Sequence, residues 1–557
     1  MSGIDDEDTL ALEPEPAAEQ SPPPQGQGLA SAAVLMVAVT LISRVAGLLR
    51  SLTIAAVFGV SGPVNAFFAA FAIPDLLYFL MAGGAARTAF VPVFTEYLAH
   101  GRRREAWRVF SSVFWLLAIL GAVLVVLGVG LAPQLARLSA LGWVQSDPDR
   151  VSSVAHFMRI IFPAQLFLVL GGLLMGTLNA HKHFLWPAVG PIVYDLFSVA
   201  GALAAGVMIH HGASQLEGLN VLAASTVLGA LCGNVLVQIP PLARLGGRLQ
   251  LLLDVADSGV RRVVRLAGPV ILGLAVAEIN WVLVRALATM CGDEDAVALL
   301  ELANRLWKLP SGLFAAAIAI AVFPSLSEHY ARRDEVAYRR DFSFAMRNTL
   351  FFVIPSTVVF ASMPTPIVRM LLQRGSFSPE TSPILGEILV WLTPGMLALA
   401  IVYICARAFY ARHNTLTPVV VGLASFVACF TVGYASLPMG VLGLALATSV
   451  SNGLNALLLM VLLKRQVGRL DGGRILSSLV RIIPGCVALG LICHFGSGHL
   501  ESLLGNTGEP AKLITAMVPL ALGALVFVAL CILLRVEELA SGWRLLTRRR
   551  PRTSAGQ

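Results

Sequence analysis

Charged residues are scarce in this sequence. Only 13% of its 557 residues are Asp, Glu, Lys or Arg, and 57% are hydrophobic, whereas a soluble domain carries roughly a quarter of charged residues. A water-soluble fold cannot bury so much apolar surface, so the composition excludes a soluble globular protein. The apolar residues also come in runs of about 20, long enough to cross a hydrocarbon layer of roughly 30 Å as helices. The sequence therefore predicts an integral membrane protein.

Clusters of metal-binding or disulfide-forming residues are also missing. The seven cysteines lie mostly inside apolar runs, without CxxC spacing or grouped histidines. We therefore expect packing cysteines, no metal ion and no cofactor. The net charge of +8 does not indicate nucleic acid, because the Lys and Arg residues sit in short loops between apolar runs. That distribution is typical of membrane topology and of contact with lipid headgroups.

Residues 1–28 contain neither Lys nor Arg. They carry seven acidic side chains and the run Pro22-Pro23-Pro24, a composition that buries nothing and predicts a disordered tail. The segment also lacks the basic start of a secretory signal peptide, so we expect the first apolar run to remain in the mature protein.

Fourteen apolar runs follow this tail, and we number them as spans 1 to 14. The predicted fold class is therefore an all-α integral membrane protein with about 14 transmembrane helices. The runs lie near residues 29–57, 64–95, 107–132, 155–179, 185–210, 218–242, 264–290, 296–326, 344–371, 383–411, 416–437, 439–463, 476–497 and 512–535.

The loops between the spans alternate in charge. Lys and Arg concentrate on the cytoplasmic side of membrane proteins. With the N-terminus inside, this side receives arginine-rich groups such as 102–104, 261–265, 332–340 and 548–550. The opposite side keeps four arginines beside acidic stretches such as 293–295. Both termini are therefore predicted to be cytoplasmic, with an acidic tail at 1–28 and a basic tail at 537–557.

An internal similarity divides the spans into two halves. Residues 89–97 of span 2 (AFVPVFTEY) resemble 321–330 of span 8 (AVFPSLSEHY), since in each a Pro and a Glu four residues later precede an arginine-rich loop. Chance similarity at a helix exit is the alternative. Transporters are often built from such repeats. We predict an N-terminal lobe at 29–242, a C-terminal lobe at 243–463, and spans 13 and 14 at 464–536.

Three arginines fall where charge is costly. An ionised side chain at bilayer depth costs at least a few kcal/mol, so it normally faces water or protein. Arg44 and Arg50 of span 1 lie on opposite-leaning faces of a regular helix unless Gly47 allows a bend, and snorkelling to the interface is the alternative for both. Arg305 of span 8 precedes Pro310-Ser311-Gly312, where the helix can break and turn backbone groups toward a cavity.

Eight further charged residues lie within the spans. Glu278 and Arg285 are seven residues apart, hence on one face of span 7, and structural pairing explains many of the set. The cations near spans 1, 2, 7 and 8 outnumber the carboxylates. A cavity with this balance suits a phosphate-bearing substrate, which arginine binds through paired hydrogen bonds. The other members are Arg87, Arg159, Asp195, Glu301, Glu387 and Arg407.

Several short stretches form a specific pattern when taken together and run in order over nearly the whole membrane region. They are 43–50 (SRVAGLLR), 65–68 (NAFF), 89–97 (AFVPVFTEY), 268–269 (GP), 304–312 (NRLWKLPSG), 323–327 (FPSLS), 372–377 (LQRGSF), 409–410 (FY) and 417–418 (TP). In these stretches the chain resembles the MurJ (MviN) family, the lipid II flippases of peptidoglycan synthesis, within the superfamily of multidrug and oligosaccharidyl-lipid exporters.

The resemblance implies two six-helix lobes around a central cavity of spans 1, 2, 7 and 8, with a groove for a polyprenyl tail at spans 13 and 14. Arg44, Arg50 and Arg305 match the arginines that in this family meet the substrate diphosphate. It implies a flippase and not an enzyme, which moves lipid II between the leaflets of a bacterial cytoplasmic membrane by alternating access. The implied partners are lipid II, an undecaprenyl-diphosphate-linked glycopeptide, and membrane lipids.

Further cavity and hinge positions are expected from the same region. The additional cavity-lining candidates are Asn65, Arg87, Glu278, Arg285 and Asn304. The hinge candidates, which are small residues and a proline that let a helix bend, are Gly47, Gly83, Gly84, Pro310 and Gly312.

Three positions that are commonly charged in this family are neutral here, namely Asn65, Tyr78 and Gly83. The charges that look like additions are Arg87, Glu278, Arg285 and Glu301. Either charge is redistributed around the same substrate, or the substrate is another polyprenyl-diphosphate-linked oligosaccharide. Span 11 has no carboxylate that could hold sodium, so a coupling ion and the membrane potential both remain candidate energy sources.

Other functions compete with lipid II transport. A cation-coupled drug antiporter predicts a more acidic cavity. A membrane glycosyltransferase or polymerase predicts a carboxylate or histidine cluster in a sizeable loop, whereas no loop here exceeds about 25 residues. A structural scaffold needs no buried arginines. Lipid II transport is therefore the favoured hypothesis, with the related glycan as the alternative.

Overall fold

The structure is a computed structural model that describes residues 27–81, 87–468, 470–505 and 508–539, without the side chains of 27–38, 40, 87–88 and 269–278. The described part is built from helices and contains no β-strand. The predicted all-α fold is therefore confirmed. The predicted tail at 1–28 lies outside the described residues except for its last two positions, which already belong to the first helix. The basic tail beyond residue 539 also lies outside them.

The first six spans have well-defined helical bounds. Span 2 consists of two helices on either side of the undescribed residues 82–86. The bounds of spans 1 to 6 are Gln27–Phe58, Pro63–Met81 with Arg87–Ala99, Arg103–Gly130, Pro148–Ala180, Leu185–His210 and Gln215–Arg244. Two short helices, Ala132–Ser139 and Trp143–Ser146, lie between spans 3 and 4.

Spans 7 to 14 follow in the predicted order. Their bounds are Ser258–Ala288, Ala296–Ala331, Glu335–Ser362, Thr381–Ala411, Leu416–Ala435, Val441–Val467, Gly472–Leu504 and Glu509–Leu533. A short helix, Pro364–Leu372, lies between spans 9 and 10. Span 12 runs four residues past the predicted lobe boundary at 463.

Thirteen helices within the described residues are long and apolar enough to cross a membrane. They correspond to every predicted span except the seventh, for which the side chains of 269–278 are not described. Helix Ser258–Ala288 nevertheless has 31 residues, a length of about 46 Å at 1.5 Å per residue. The structure therefore places a helix of spanning length at each of the fourteen predicted positions.

The packing repeats with a shift of six spans. Span 4 is the buried centre of the first half and contacts spans 2, 3 and 6; span 10 contacts spans 8, 9 and 12 in the same way. Likewise span 1 packs on span 5 as span 7 packs on span 11, and spans 5 and 6 pair as spans 11 and 12 do. This correspondence supports two like lobes. Spans 13 and 14 pack on each other, span 13 also packs on span 9, and span 14 packs on the short helix Pro364–Leu372.

Corresponding spans are also interrupted in corresponding places. Span 8 changes from α-helix to π-helix over Ser311–Ala315, directly after Pro310. Span 2 becomes π-helical at residues 79–81, before its undescribed segment. A proline and a wide turn free backbone groups from the regular hydrogen-bond ladder. Both interruptions lie in spans predicted to line the cavity.

The two ends of the molecule differ in charge. We call the end that carries the arginine-rich loops inner and the opposite end outer. Spans 13 and 14 are fixed to the second lobe at the outer end, where Arg369 pairs with Glu501 and buried Lys512 donates to the carbonyl of Gln373 at 2.6 Å. The orientation of these ends in a membrane remains a prediction from the loop charges.

Replacement of Gly171 by alanine is expected to destabilise the first lobe. A Cβ at Gly171 in span 4 would lie 2.5 Å from Cβ and 2.6 Å from the backbone oxygen of Asn234 in span 6. Such overpacking costs about 1–3 kcal/mol, so the apparent melting temperature of the detergent-purified variant should fall. Gly453→Ala is the control, because its Cβ would meet no atom within 4 Å. Equal melting temperatures for the two variants would contradict this packing.

Candidate functional site

The two arginines of span 1 reach different partners in the membrane interior. Arg50 Nη1 lies 3.1 Å from Oδ1 of Asp195 in span 5. Arg44 Nη2 donates to the backbone carbonyl of Gly312 in span 8 at 2.8 Å. Arg50 therefore binds span 1 to its own lobe, whereas Arg44 binds it to the second lobe.

Two glycines admit these arginine contacts. A Cβ at Gly312 would lie 2.7 Å from Nη1 of Arg44, and a Cβ at Gly47 would lie 3.3 Å from Oδ2 of Asp195. Span 1 continues as an unbroken α-helix through Gly47, so Gly47 provides space rather than a bend in this conformation. Gly312 belongs to the π-helical turn Ser311–Ala315, and its carbonyl is the acceptor for Arg44.

Four charged side chains connect span 8 with spans 7 and 2. Glu301 binds two arginines, one through each oxygen: Oε1 lies 3.3 Å from Nη2 of Arg305, and Oε2 lies 2.9 Å from Nη2 of Arg285. Arg285 also reaches Asp75 in span 2, with 3.4 Å between Nη1 and Oδ2. The order of charges is thus Arg305, Glu301, Arg285, Asp75, alternating in sign and crossing from the second lobe to the first.

A lysine adjoins this group. Lys308, three residues after Arg305, is exposed in the middle of span 8. Its Nζ lies 5.1 Å from the ring centroid of Trp281 in span 7 and 5.9 Å from that of Trp307. Aromatic faces stabilise a cation through the ring quadrupole. Lys308 and Arg305, which keeps 33% of its side chain exposed, are the accessible cations of the site.

The site has an excess of positive charge. Its described cations are five and its carboxylates three, a balance of +2. Each arginine has a carboxylate or carbonyl partner, which lowers the cost of burial. A net positive charge attracts an anionic ligand. The eight residues are Arg44, Arg50, Arg285, Arg305, Lys308, Asp75, Asp195 and Glu301.

Polar contacts close the outer end between the lobes. Asn65 in span 2 accepts a hydrogen bond from the backbone N–H of Ala298 in span 8 at 2.9 Å. Its amide lies 3.3 Å from Asp295, which also accepts from the hydroxyl of Ser61 at 3.1 Å. Ser376 adds two bonds to span 1, from its backbone N–H and its hydroxyl, at 2.7 and 2.8 Å. We call this set the outer seal.

The inner half of span 8 faces its own lobe. Helix Ala316–Ala331 packs on spans 9 and 10, whereas the outer half Ala296–Pro310 contacts spans 1 and 2. An ion pair of 2.7 Å between Arg262 and Glu96 joins spans 7 and 2 near the inner end. The seam between spans 1, 2 and 8 is therefore closed in its outer half.

Metal ligation has no support in the part of the chain that the structure describes. Those residues contain no group of three or more His, Cys, Asp or Glu side chains arranged to hold a metal ion. Cys291 near the outer end is half-buried, and burial raises the pKa of its thiol to about 11.

Comparison with known proteins identifies the family. Residues 54–504 match the family described as "Lipid II flippase MurJ". The chain belongs to the MurJ family. A Burkholderia cenocepacia protein named "Lipid II flippase MurJ" is 29% identical over 489 residues, covering 86% of this chain and 92% of that protein. A Rhizobium meliloti protein named "Probable lipid II flippase MurJ" is 30% identical over 460 residues, covering 80% and 81%.

Solved structures share the fold. One described as "Lipid II flippase MurJ, inward closed conformation" has a TM-score of 0.73 and 23% identity, and the match covers 90% of this chain and 99% of that chain. An inward-facing multidrug resistance MATE family transporter of the MOP superfamily has a TM-score of 0.59 and 15% identity, covering 78% and 95%. The two-lobed architecture is therefore common to this MurJ family member and to MATE transporters.

The structure brings the main predicted residues together but corrects others. Arg285 and Arg305 meet at Glu301, Arg50 pairs with Asp195, and Arg44 reaches the carbonyl of Gly312 in span 8. Asn65 does not line a cavity as expected, because it is fully buried in the outer seal. Its Oδ1 accepts a hydrogen bond from the N–H of Ala298 in the first turn of span 8, where the helix itself provides no acceptor. Asn304 is half-buried, and its Oδ1 is buried without a hydrogen-bond partner among the described residues.

Several predicted positions remain untested. Gly83 and Gly84 lie outside the described residues, and the side chains of Arg87 and Glu278 are not described. Bending at Gly47, Pro310 and Gly312 stays a prediction, although the π-helical turn begins directly after Pro310.

Sequence reasoning missed Asp75, Lys308 and Asp295. Asp75 is the only charged residue between positions 64 and 86, so its isolation within an apolar run was a readable signal. Lys308 follows Arg305 by one helical turn and was readable from the same spacing. Asp295 gave no such signal, because it lies in an acidic loop and acquires its role only when Ser61 and Asn65 reach it.

The outer seal is expected to depend on pH through Asp295. Burial raises the pKa of Asp295, with repulsion from Glu294 acting in the same direction, although hydrogen bonds from Ser61 and Asn65 and the charge of Arg150 lower it. Opening would hydrate Asp295 and return its pKa toward the ordinary value. Protonation at low pH therefore favours the closed seal, and this preference is lost as the pH rises through the raised pKa.

The measurement is the labelling of Ala298→Cys, a buried position, by an impermeant thiol reagent in a Cys291→Ser background. Its rate should rise more steeply with pH than the rate in a matched protein that also carries Asp295→Asn, which does not titrate. The ratio of the two rates cancels the intrinsic pH dependence of the thiol. A ratio that is constant with pH would remove Asp295 from the control of the seal.

Proposed function

We propose that this protein moves lipid II from the inner to the outer leaflet of a bacterial cytoplasmic membrane. The alternating-access cycle begins with the diphosphate headgroup in the cavity of spans 1, 2, 7 and 8, and both termini are cytoplasmic. Membership of the MurJ family and the names of its relatives support this substrate. The excess positive charge of the site supports an anionic headgroup, which guanidinium groups bind through charge-assisted hydrogen bonds.

The observation that carries the proposal is the position of the Pro310–Gly312 turn. Gly312 on one side of the turn binds Arg44 of the cation site. Pro310 on the other side lines an apolar crevice of about 240 Å³ between spans 8, 9, 13 and 14. The other crevice residues include Pro355, Val359, Phe360, Leu489, Leu520 and Phe527.

This arrangement fits an amphiphile better than a soluble anion. An apolar crevice next to a cation site accommodates part of a polyprenyl chain while the diphosphate stays with the arginines. Transfer of apolar surface out of water is favourable by about 25 cal/mol per Å², but a tail that enters the crevice from lipid gains little of this energy. The crevice would instead hold the tail inside the membrane, next to the cation site. No bond is made or broken, so the site needs no nucleophile.

Complementation tests the substrate directly. Expression of this chain in a bacterium depleted of its own lipid II flippase should restore cell-wall synthesis and growth. Absence of rescue at normal membrane expression would contradict lipid II transport and favour the related polyprenyl-diphosphate glycan.

Arg305→Ala is expected to abolish this rescue at near-normal protein levels, because it removes an arginine of the site that keeps 33% of its side chain exposed. Arg407→Ala is the matched control: Arg407 is also an intramembrane arginine, but it lies in span 10 near the rings of Phe323 and Tyr410. Growth should be measured together with membrane expression for both variants. Full rescue by Arg305→Ala would exclude Arg305 from the binding site.

A further inference from the structure

Three ion pairs connect Arg305 to Asp75 in series. Two buried charges lie in the middle of this series, and two accessible charges lie at its ends. The side chains of Glu301 and Arg285 are each 7% exposed, whereas those of Arg305 and Asp75 are 33% and 37% exposed. The end members can exchange their partners for water or a ligand. The middle members cannot, because an unpaired buried charge is strongly destabilising.

Glu301 and Arg285 are both shared between two partners. Glu301 divides its oxygens between Arg305 and Arg285, and Arg285 divides its terminal nitrogens between Glu301 and Asp75. The Nε of Arg285 is buried and finds no hydrogen-bond partner among the described residues. The Arg285 guanidinium is therefore incompletely satisfied, so its position responds to any change in the charge of its neighbours.

An anion bound at Arg305 changes the strength of the other contacts in this series of ion pairs. A diphosphate that accepts hydrogen bonds from Arg305 competes with Glu301 for the same guanidinium. Glu301 then acts mainly on Arg285, which is held more strongly toward span 8. The contact of Arg285 with Asp75, at 3.4 Å the longest of the three, weakens as a result, and it is the contact that crosses between the lobes.

We propose that Glu301 couples the binding of an anionic headgroup at Arg305 to release of the Arg285–Asp75 contact between spans 7 and 2. This inference rests on the proposed function, since it assigns a trigger to the same site. Glu301 is a positioning residue: it touches Arg305 and Arg285 but not the ligand. Its effect is to make the closed outer half of the seam less stable when the site is occupied.

The test uses the full-length protein in nanodiscs, with undecaprenyl diphosphate as the probe. Spin labels at His211→Cys and Met439→Cys, exposed positions at the outer ends of spans 5 and 11, report the distance between the lobes. The native cysteines 232 and 291 are replaced by serine to avoid background labelling. In the otherwise unchanged protein, the probe should raise the ratio of open to closed distances about tenfold, within the usual range of coupling.

Glu301→Gln gives the decisive result. Loss of the competing carboxylate should tighten binding of the probe by about threefold to tenfold. The probe should then raise the ratio of open to closed distances by less than about twofold. A purely structural defect would weaken binding instead. Asp75→Asn, at the more exposed end, should shift the distances toward the open state before the probe is added, and it also covers the case in which Glu301→Gln fails to fold.

Glu387→Gln is the matched control, since it neutralises an exposed carboxylate of span 10; it should change neither binding nor distance. An undiminished distance change in Glu301→Gln, or an unshifted resting distance in Asp75→Asn, would overturn the coupling while leaving the proposed function intact. Equal binding of the probe by the unchanged protein and by Arg305→Ala would exclude Arg305 from the binding site and overturn the coupling, whereas no binding by the unchanged protein would contradict the proposed function.

Discussion

A charged side chain inside a membrane protein is stable only where another charge, a backbone dipole or water replaces the solvation that it has lost. This constraint organises the interior of the protein. Arg50 has Asp195, Arg44 has the carbonyl of Gly312, and Glu301 lies between Arg285 and Arg305. The lobes are consequently held together by the same charges that give the site its positive excess, so binding and lobe movement share their residues.

The interruption of span 8 serves both halves of an amphiphilic site. A regular helix satisfies its own carbonyls, and Pro310 followed by a π-helical turn is where this helix departs from regularity. Gly312 then leaves room for the Arg44 guanidinium, since any Cβ would collide with it. Because Pro310 also borders the crevice beside spans 13 and 14, the turn fixes the distance between the cation site and the apolar groove.

The six-span repeat explains how spans 1, 2 and 8 can be sealed at the outer end while the inner half of span 8 packs on its own lobe. Each lobe is a bundle packed around its own central helix, span 4 or span 10. The lobes can therefore move relative to one another while each keeps its internal packing. The outer seal consists of small polar contacts at Asn65, Ser61 and Asp295, beside an apolar cluster that both lobes share. Such contacts are directional and few, and they can be exchanged for water when the outer end opens.

The sequence by itself determined the membrane class and the number and order of the spans, because helix length and apolar period are local properties. It also predicted the repeat and the region of Arg44 and Arg305. Only the tertiary structure decided which charges pair: Glu301 with two arginines, Arg285 with Asp75, and Asn65 with the start of span 8 and not with the cavity. These partners are separated by up to 233 positions. Their pairing depends on how the spans rotate and pack, which periodicity within a single helix does not specify.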